Sequence, residues 1–151
     1  MKIEETFFVN APIDRVWRFI MSPDDVAPCI PGCGEVEILG ENKYRANVKL
    51  AVGPIKTNFN VSVEIIEQRA PNFAATLTRG EEGGKASMVT ANSELRLAPV
   101  DDVQTEVYYL SEVSIVGRLG KFGLGIMKKK AKSIGEEFAE NLRTRVEAPG
   151  K

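Results

Sequence analysis

A chain of 151 residues with 43% hydrophobic and 27% charged side chains has the balance of a globular protein built on one hydrophobic core. Its 20 basic and 21 acidic residues leave a formal net charge of -1, too little global field to attract a polyanion, which argues against a sequence-wide nucleic-acid-binding role. Histidine is absent, and with it the commonest general base, pH switch and transition-metal ligand.

The opening residues Ile3, Glu5, Phe7 and Val9 alternate with Lys2, Glu4, Thr6 and Phe8, which predicts a strand with one buried face. The first five residues lack the apolar stretch of a secretory leader, and no run approaches the ~18 to 20 apolar residues of a membrane span. A cytoplasmic protein that meets a membrane only from the side is therefore expected. Asn10 is expected to cap a short helix with Pro12 in its first turn and Ile13, Val16, Trp17 and Ile20 on one side. Ser22-Pro23 opens a second short helix, which Pro28 and Pro31 stop. Cys29 and Cys33 sit in the corner that follows, spaced C-x3-C. With no other Cys or His to complete a tetrahedral site, they read as reduced thiols, not as structural zinc ligands.

Six strands are expected next, over residues 36–39, 44–52, 55–65, 73–78, 85–97 and 104–116, divided by Gly, Pro, Asn and Asp turns. The clearest is 55–65, where Ile55, Thr57, Phe59, Val61, Val63 and Ile65 alternate with Lys56, Asn58, Asn60, Ser62 and Glu64. The chain then changes period. Leu124, Met127, Ala131, Ile134, Phe138 and Leu142 recur at spacings of three and four and predict one long helix over residues 119–146 with a single apolar stripe. Such a helix would be about 40 Å long, so a small antiparallel sheet must curl around it, leaving room between the layers. The fold class is α+β: about seven strands around a C-terminal helix, in one domain over residues 1–147 with a tail at 148–151.

The glycines of residues 117–125 lack the spacing of a nucleotide loop, and no Gly-Lys-Ser/Thr follows. They read instead as a start of the helix that frays easily, or as close approach to the sheet. Leu119, Phe122 and Ile126 form a second ridge rotated from the main stripe, with Lys128, Lys129 and Lys132 directly after. Apolar residues beside a lysine cluster suit an anionic bilayer surface or an acidic partner; a solvated face with its ridge covered by the short helices is the plainer alternative.

Ala11-Pro12 followed by Val16-Trp17, the run Cys29-Ile30-Pro31-Gly32-Cys33, the run Val52-Gly53-Pro54-Ile55-Lys56, and Gly117-Arg118-Leu119 leading into the helix span the chain nearly end to end. In this order they resemble the CoxG family of carbon monoxide dehydrogenase subunits, within the START and birch-pollen-allergen (SRPBCC) superfamily of helix-grip folds. The resemblance implies a cavity for an apolar ligand between sheet and helix and no chemistry of the protein's own. It also implies association with molybdenum-containing carbon monoxide dehydrogenases, with membrane attachment on the inner face of the cell membrane, and with quinone handling. The chain departs from the family in two places. Ser87, Val89 and Ala91 stand where members often have extra glycines, and many members extend past the helix in a tail.

A non-catalytic carrier of an elongated apolar molecule is the expected function, with an isoprenoid quinone, menaquinone or ubiquinone, held without a covalent link. A quinone tail needs apolar lining, while its two carbonyls need only one or two donors. The expected ligand-binding residues are Phe59, Val61, Val89, Tyr109 and Val113 from the sheet and Phe122, Ile126, Met127 and Ile134 from the helix, with Tyr109 donating to the head group. Leu119, Phe122, Ile126, Lys128, Lys129 and Lys132 are the expected membrane or partner contacts. The polar exceptions on the inward faces are Glu5, Thr57, Tyr109 and Ser111. Glu5 and Tyr109 would be the acid and base of the main alternative, a cyclase- or hydratase-like enzyme. A dehydrogenase assembly or recruitment factor is the third reading.

Overall fold

The computed structural model describes residues 1–148, leaving the side chains of Lys85, Phe122 and Leu124 outside that description. The first strand, β1 (Lys2–Val9), buries Phe7 and Val9 and turns Lys2, Glu4, Thr6 and Phe8 outward, as its alternation requires. Two short helices follow, α1 (Ile13–Ile20) and α2 (Pro23–Val26), the second continuing into a 3-10 turn at Ala27–Cys29. Asn10 does not cap α1. Pro12 holds that position without a side-chain bond. Asn10 instead takes a bond from Gln104 Nε2 (3.4 Å) and gives its backbone N–H to Glu147 (2.8 Å), tying the end of the strand to residues distant in sequence.

Six more strands complete the sheet: β2 (Cys33–Gly40), β3 (Lys43–Val52), β4 (Ile55–Arg69), β5 (Phe73–Glu82), β6 (Ser87–Asp101) and β7 (Gln104–Gly117). All pairings are antiparallel, in the order β1-β7-β6-β5-β4-β3-β2. The gap expected between the strands at 73–78 and 85–97 narrows to a 3-10 turn at Gly83–Lys85, because Gly80 and Glu82 stay paired with Val61 and Phe59.

The last element begins later than its periodicity suggests. Arg118–Phe122 form a 3-10 turn, Gly123 breaks the path at φ 86° and ψ 158°, and the helix α3 runs only over Leu124–Val146. A backbone with that positive φ is strained for any residue with a side chain, so the helix cannot propagate back through Gly123. Its 23 residues span about 35 Å. Met127 and Leu142 are buried on the expected stripe, with Ala139 and Val146 added beside it. No helix among the described residues is long and apolar enough to cross a membrane.

Where one core was expected, the packed residues form two clusters. One lies where α1 and the last turns of α3 meet β1 and β7, and holds Val9, Val16, Trp17, Val107, Leu142 and Val146. The other lies at the opposite end, where Val52, Phe59, Leu119 and Met127 close together. The register of the sheet explains the gap between them. Residues on the concave face line up in rows across the strands, and the row Phe7–Val107–Leu97 at one end is large. Two rows in the middle, Ser111–Ser93–Thr76 and Val113–Ala91–Thr78, are mostly small. Helix residues opposite small side chains have nothing to pack against, so a hollow remains.

Candidate functional site

The hollow has a volume of about 500 Å³. Its helix wall is Ala131, Ile134, Gly135 and Phe138, and Ile20, Met21 and Ile30 of the short-helix segment close one side. The sheet wall combines apolar Ile3, Ile65, Ala74, Leu95, Val107 and Val113 with hydroxyl residues Tyr44, Thr76, Thr78, Ser93, Tyr109 and Ser111. Apolar lining with a few convergent polar groups is the usual make-up of a small-molecule site.

The hydroxyls are ordered. Ser93 and Ser111 are opposed across β6 and β7 with their oxygens 2.7 Å apart, and Thr76 continues the row on β5. Tyr109 comes from β7, one inward position along from Ser111, and its ring packs against α3 at Gly135. A β-carbon built on Gly135 would overlap the phenol oxygen, so the close approach exists only because that residue is glycine. Burial, with the Glu5 and Glu136 carboxylates nearby, pushes the Tyr109 phenol up to about 12, and burial also raises Tyr44. Both phenols therefore keep their protons at neutral pH and present a hydroxyl. No lysine or arginine borders the hollow among the described residues. Glu94 borders it, but its carboxylate pairs with Arg96 at 3.0 Å, and its strand position alternates with inward-facing Ser93 and Leu95.

Of the residues expected to bind a ligand, Tyr109, Val113 and Ile134 line this hollow. Phe59 and Met127 are buried in the end cluster, with Val61 and Val89 packed against it, so these four close the hollow's far end instead of lining it. Ile126 is 51% exposed and faces away from the hollow. The side chain of Phe122 lies outside the described residues. Of the expected surface contacts, Lys128, Lys129 and Lys132 are exposed with Ile126, but Leu119 is fully buried. The cause lies in the 3-10 turn: Arg118 N–H donates to Ala86 O (2.9 Å) and Leu119 N–H to Ser87 Oγ (3.0 Å). These bonds draw the turn onto the sheet and insert Leu119 among Val52, Phe59 and Met127.

The polar exceptions divide. Ser111 and Tyr109 border the hollow. Thr57 instead donates to the buried Glu82 carboxylate, which also takes bonds from Arg118 (2.9 and 3.0 Å). Glu5 sits opposite Tyr109 on β1 but borders a separate polar crevice with Glu136, Glu140 and Arg143. Cys29 and Cys33 are free thiols, both raised by burial, and the Cys29 carbonyl accepts a bond from Asn141 on α3 (3.0 Å).

The family pattern of CoxG, a carbon monoxide dehydrogenase subunit, matches residues 6–147. The chain belongs to the CoxG family. No curated protein matches it. Among solved structures, a conserved protein from Geobacillus kaustophilus aligns with 22% identity over 97% of this chain and 95% of its own, at a TM-score of 0.91. A START superfamily protein from Mycobacterium smegmatis aligns with 15% identity over 97% of each chain, at a TM-score of 0.76. The Zhui aromatase/cyclase from Streptomyces sp. R1128 aligns with 18% identity over 97% of this chain and 90% of its own, at 0.63. At these identities the likeness is one of fold, and it places the chain among helix-grip proteins.

The hydroxyl row is absent from the sequence reading, although a signal for it exists. Thr76, Ser93 and Ser111 all have inward parity on their strands, but parity does not reveal that they fall in one row until the strands are paired.

Proposed function

We propose that this CoxG-family chain is a carrier that holds an apolar molecule between sheet and helix without transforming it, and that the molecule is an isoprenoid quinone, menaquinone or ubiquinone. The observation that carries the reading is the hollow itself: about 500 Å³, apolar along its length, crossed midway by hydroxyls and bordered by no lysine or arginine among the described residues. That lining suits a neutral molecule with a few oxygen atoms better than a fatty acid or a phospholipid head, whose charge would be buried without a partner. The volume suits a quinone head with a short length of tail, and a longer tail would extend outside. Electron exchange would then belong to a partner, a molybdenum-containing oxidoreductase of the carbon monoxide dehydrogenase type, as the family name suggests.

Solvent extraction of the purified protein followed by mass spectrometry tests the reading. A quinone recovered near one equivalent supports it. Recovery of a fatty acid or phospholipid instead, together with no binding of added menadione, would overturn it.

We also assign membrane contact to the start of α3, where Ile126 is exposed beside Lys128, Lys129 and Lys132. Exposed lysines next to an apolar side chain are attracted to an anionic surface, at about 1 kcal/mol per residue. Changing the three lysines to Glu should abolish flotation with vesicles containing phosphatidylglycerol; flotation equal to wild type would remove the assignment.

A second reading, catalysis of the cyclase type, is favoured by the likeness to the Zhui aromatase/cyclase. It would rely on Glu5 and Tyr109. Against it, Glu5 faces the polar crevice instead of the hollow, and a phenol at about 12 is a poor base at neutral pH. Turnover of a polyketide-like substrate that is lost in Glu5→Gln would establish this alternative.

A further inference from the structure

We propose that the hollow holds the oxidised and reduced forms of its ligand with near-equal affinity. This rests on the reading of the site as a quinone carrier and adds a property to it. Among the described residues, the side-chain polar groups turned into the hollow are hydroxyls: Tyr44, Thr76, Thr78, Ser93, Tyr109 and Ser111. The ladder amides behind them are engaged in pairing β5, β6 and β7.

A hydroxyl carries one hydrogen and two lone pairs and rotates freely about its C–O bond. A quinone oxygen only accepts, whereas the hydroquinone oxygen that replaces it both donates and accepts. An ammonium or a lone N–H in the wall would favour the first form, because it can only donate and a hydroquinone O–H would find no acceptor there. A carboxylate would favour the second for the converse reason. A wall of hydroxyls serves both, since each side chain turns its hydrogen toward a carbonyl or a lone pair toward an O–H.

The Ser93–Ser111 pair makes the switch concrete. At 2.7 Å apart, either oxygen can donate to the other. Reversing the direction of that one bond changes the free hydroxyl from donor to acceptor without moving a heavy atom. Charge adds no bias, because both forms of the ligand are neutral. Glu94, the one carboxylate bordering the hollow among the described residues, pairs with Arg96 (3.0 Å). The two forms differ by two electrons and two protons. Both are exchanged at the partner oxidoreductase, and none of that exchange is assigned to this chain. Such a carrier loads and unloads in either direction and leaves the potential of its cargo unchanged.

The test is anaerobic calorimetry of the full chain with menadione and, separately, with menadiol. Dissociation constants within threefold of one another are expected, which for a two-electron couple is a shift of about 14 mV on binding. A preference above tenfold for either form overturns the inference while leaving the carrier reading in place. Failure of both forms to bind overturns the carrier reading and this inference with it. Ser93→Ala/Ser111→Ala should weaken both forms by the same factor, about fivefold. Weakening of one form alone would contradict the switching pair.

Discussion

At the scale of single residues, Tyr109 and Gly135 set how closely sheet and helix approach beside the hollow. A β-carbon at Gly135 would overlap the phenol oxygen, while its separation from the ring carbon Cζ, 3.6 Å, is ordinary contact. The effect of Gly135→Ala should therefore depend on that one oxygen. In the wild-type background the substitution gains about 1 kcal/mol of helix propensity but must displace the phenol or the helix, at about 1–3 kcal/mol. Net destabilisation is expected, measured by urea unfolding. In a Tyr109→Phe background the obstruction is gone and the same change should stabilise the protein by about 0.5–1 kcal/mol. A Gly135→Ala effect of the same sign and size in both backgrounds would show that the phenol does not set the spacing.

Among the elements, the 3-10 turn at Arg118–Phe122 depends on Glu82, a carboxylate only 3% exposed that accepts bonds from Arg118 and Thr57. Those bonds, the Arg118 guanidinium first, bring Glu82 down from 4.5 to about 2. A lowered carboxylate contributes stability that is complete above about pH 5 and is lost as pH falls through 4.5 toward 2. Glu82→Gln should cost about 1–3 kcal/mol at pH 7, and its deficit should shrink steadily in urea unfolding at about pH 4 and then pH 3 as the wild type loses its own share. A deficit that does not change with pH would assign the loss to packing and not to charge.

This turn also marks how far the sequence can be read. Period-2 alternation identifies β1 and β4 and tells inside from outside, and the spacing of Met127, Ala131, Ile134, Phe138 and Leu142 identifies the buried side of α3. What it does not give is position along an element. Phe59, Val61 and Val89 have the same inward parity as Ser93 and Ser111, yet they lie beyond the hollow, because alternation fixes a face and only pairing fixes a row. Leu119 reads as part of a surface ridge only when helical geometry is extended through Gly120 and Gly123; the bonds to Ala86 and Ser87 that pull it inward join it to residues about thirty positions earlier.

For the molecule as a whole, stability and binding compete for the same space. The clusters at its two ends supply the packing, and the small middle rows on the sheet, matched by Ala131 and Gly135 on the helix, keep a volume of about 500 Å³ unfilled. Walls without neighbours forgo dispersion contacts, so filling the space should stabilise the fold at the expense of the ligand. Ala131→Phe adds a ring to the hollow that Ala131 shares with Thr78, Ser93 and Val113, sheet residues that leave room to receive it. A gain of about 1–2 kcal/mol is expected, read as a rise in Tm of about 2–8 °C, together with at least a tenfold loss of menadione affinity. The two effects must come together. If Ala131→Phe raised Tm and left menadione affinity untouched, the ligand would have to bind elsewhere; if it lowered Tm, the space would already be filled by motions of its walls.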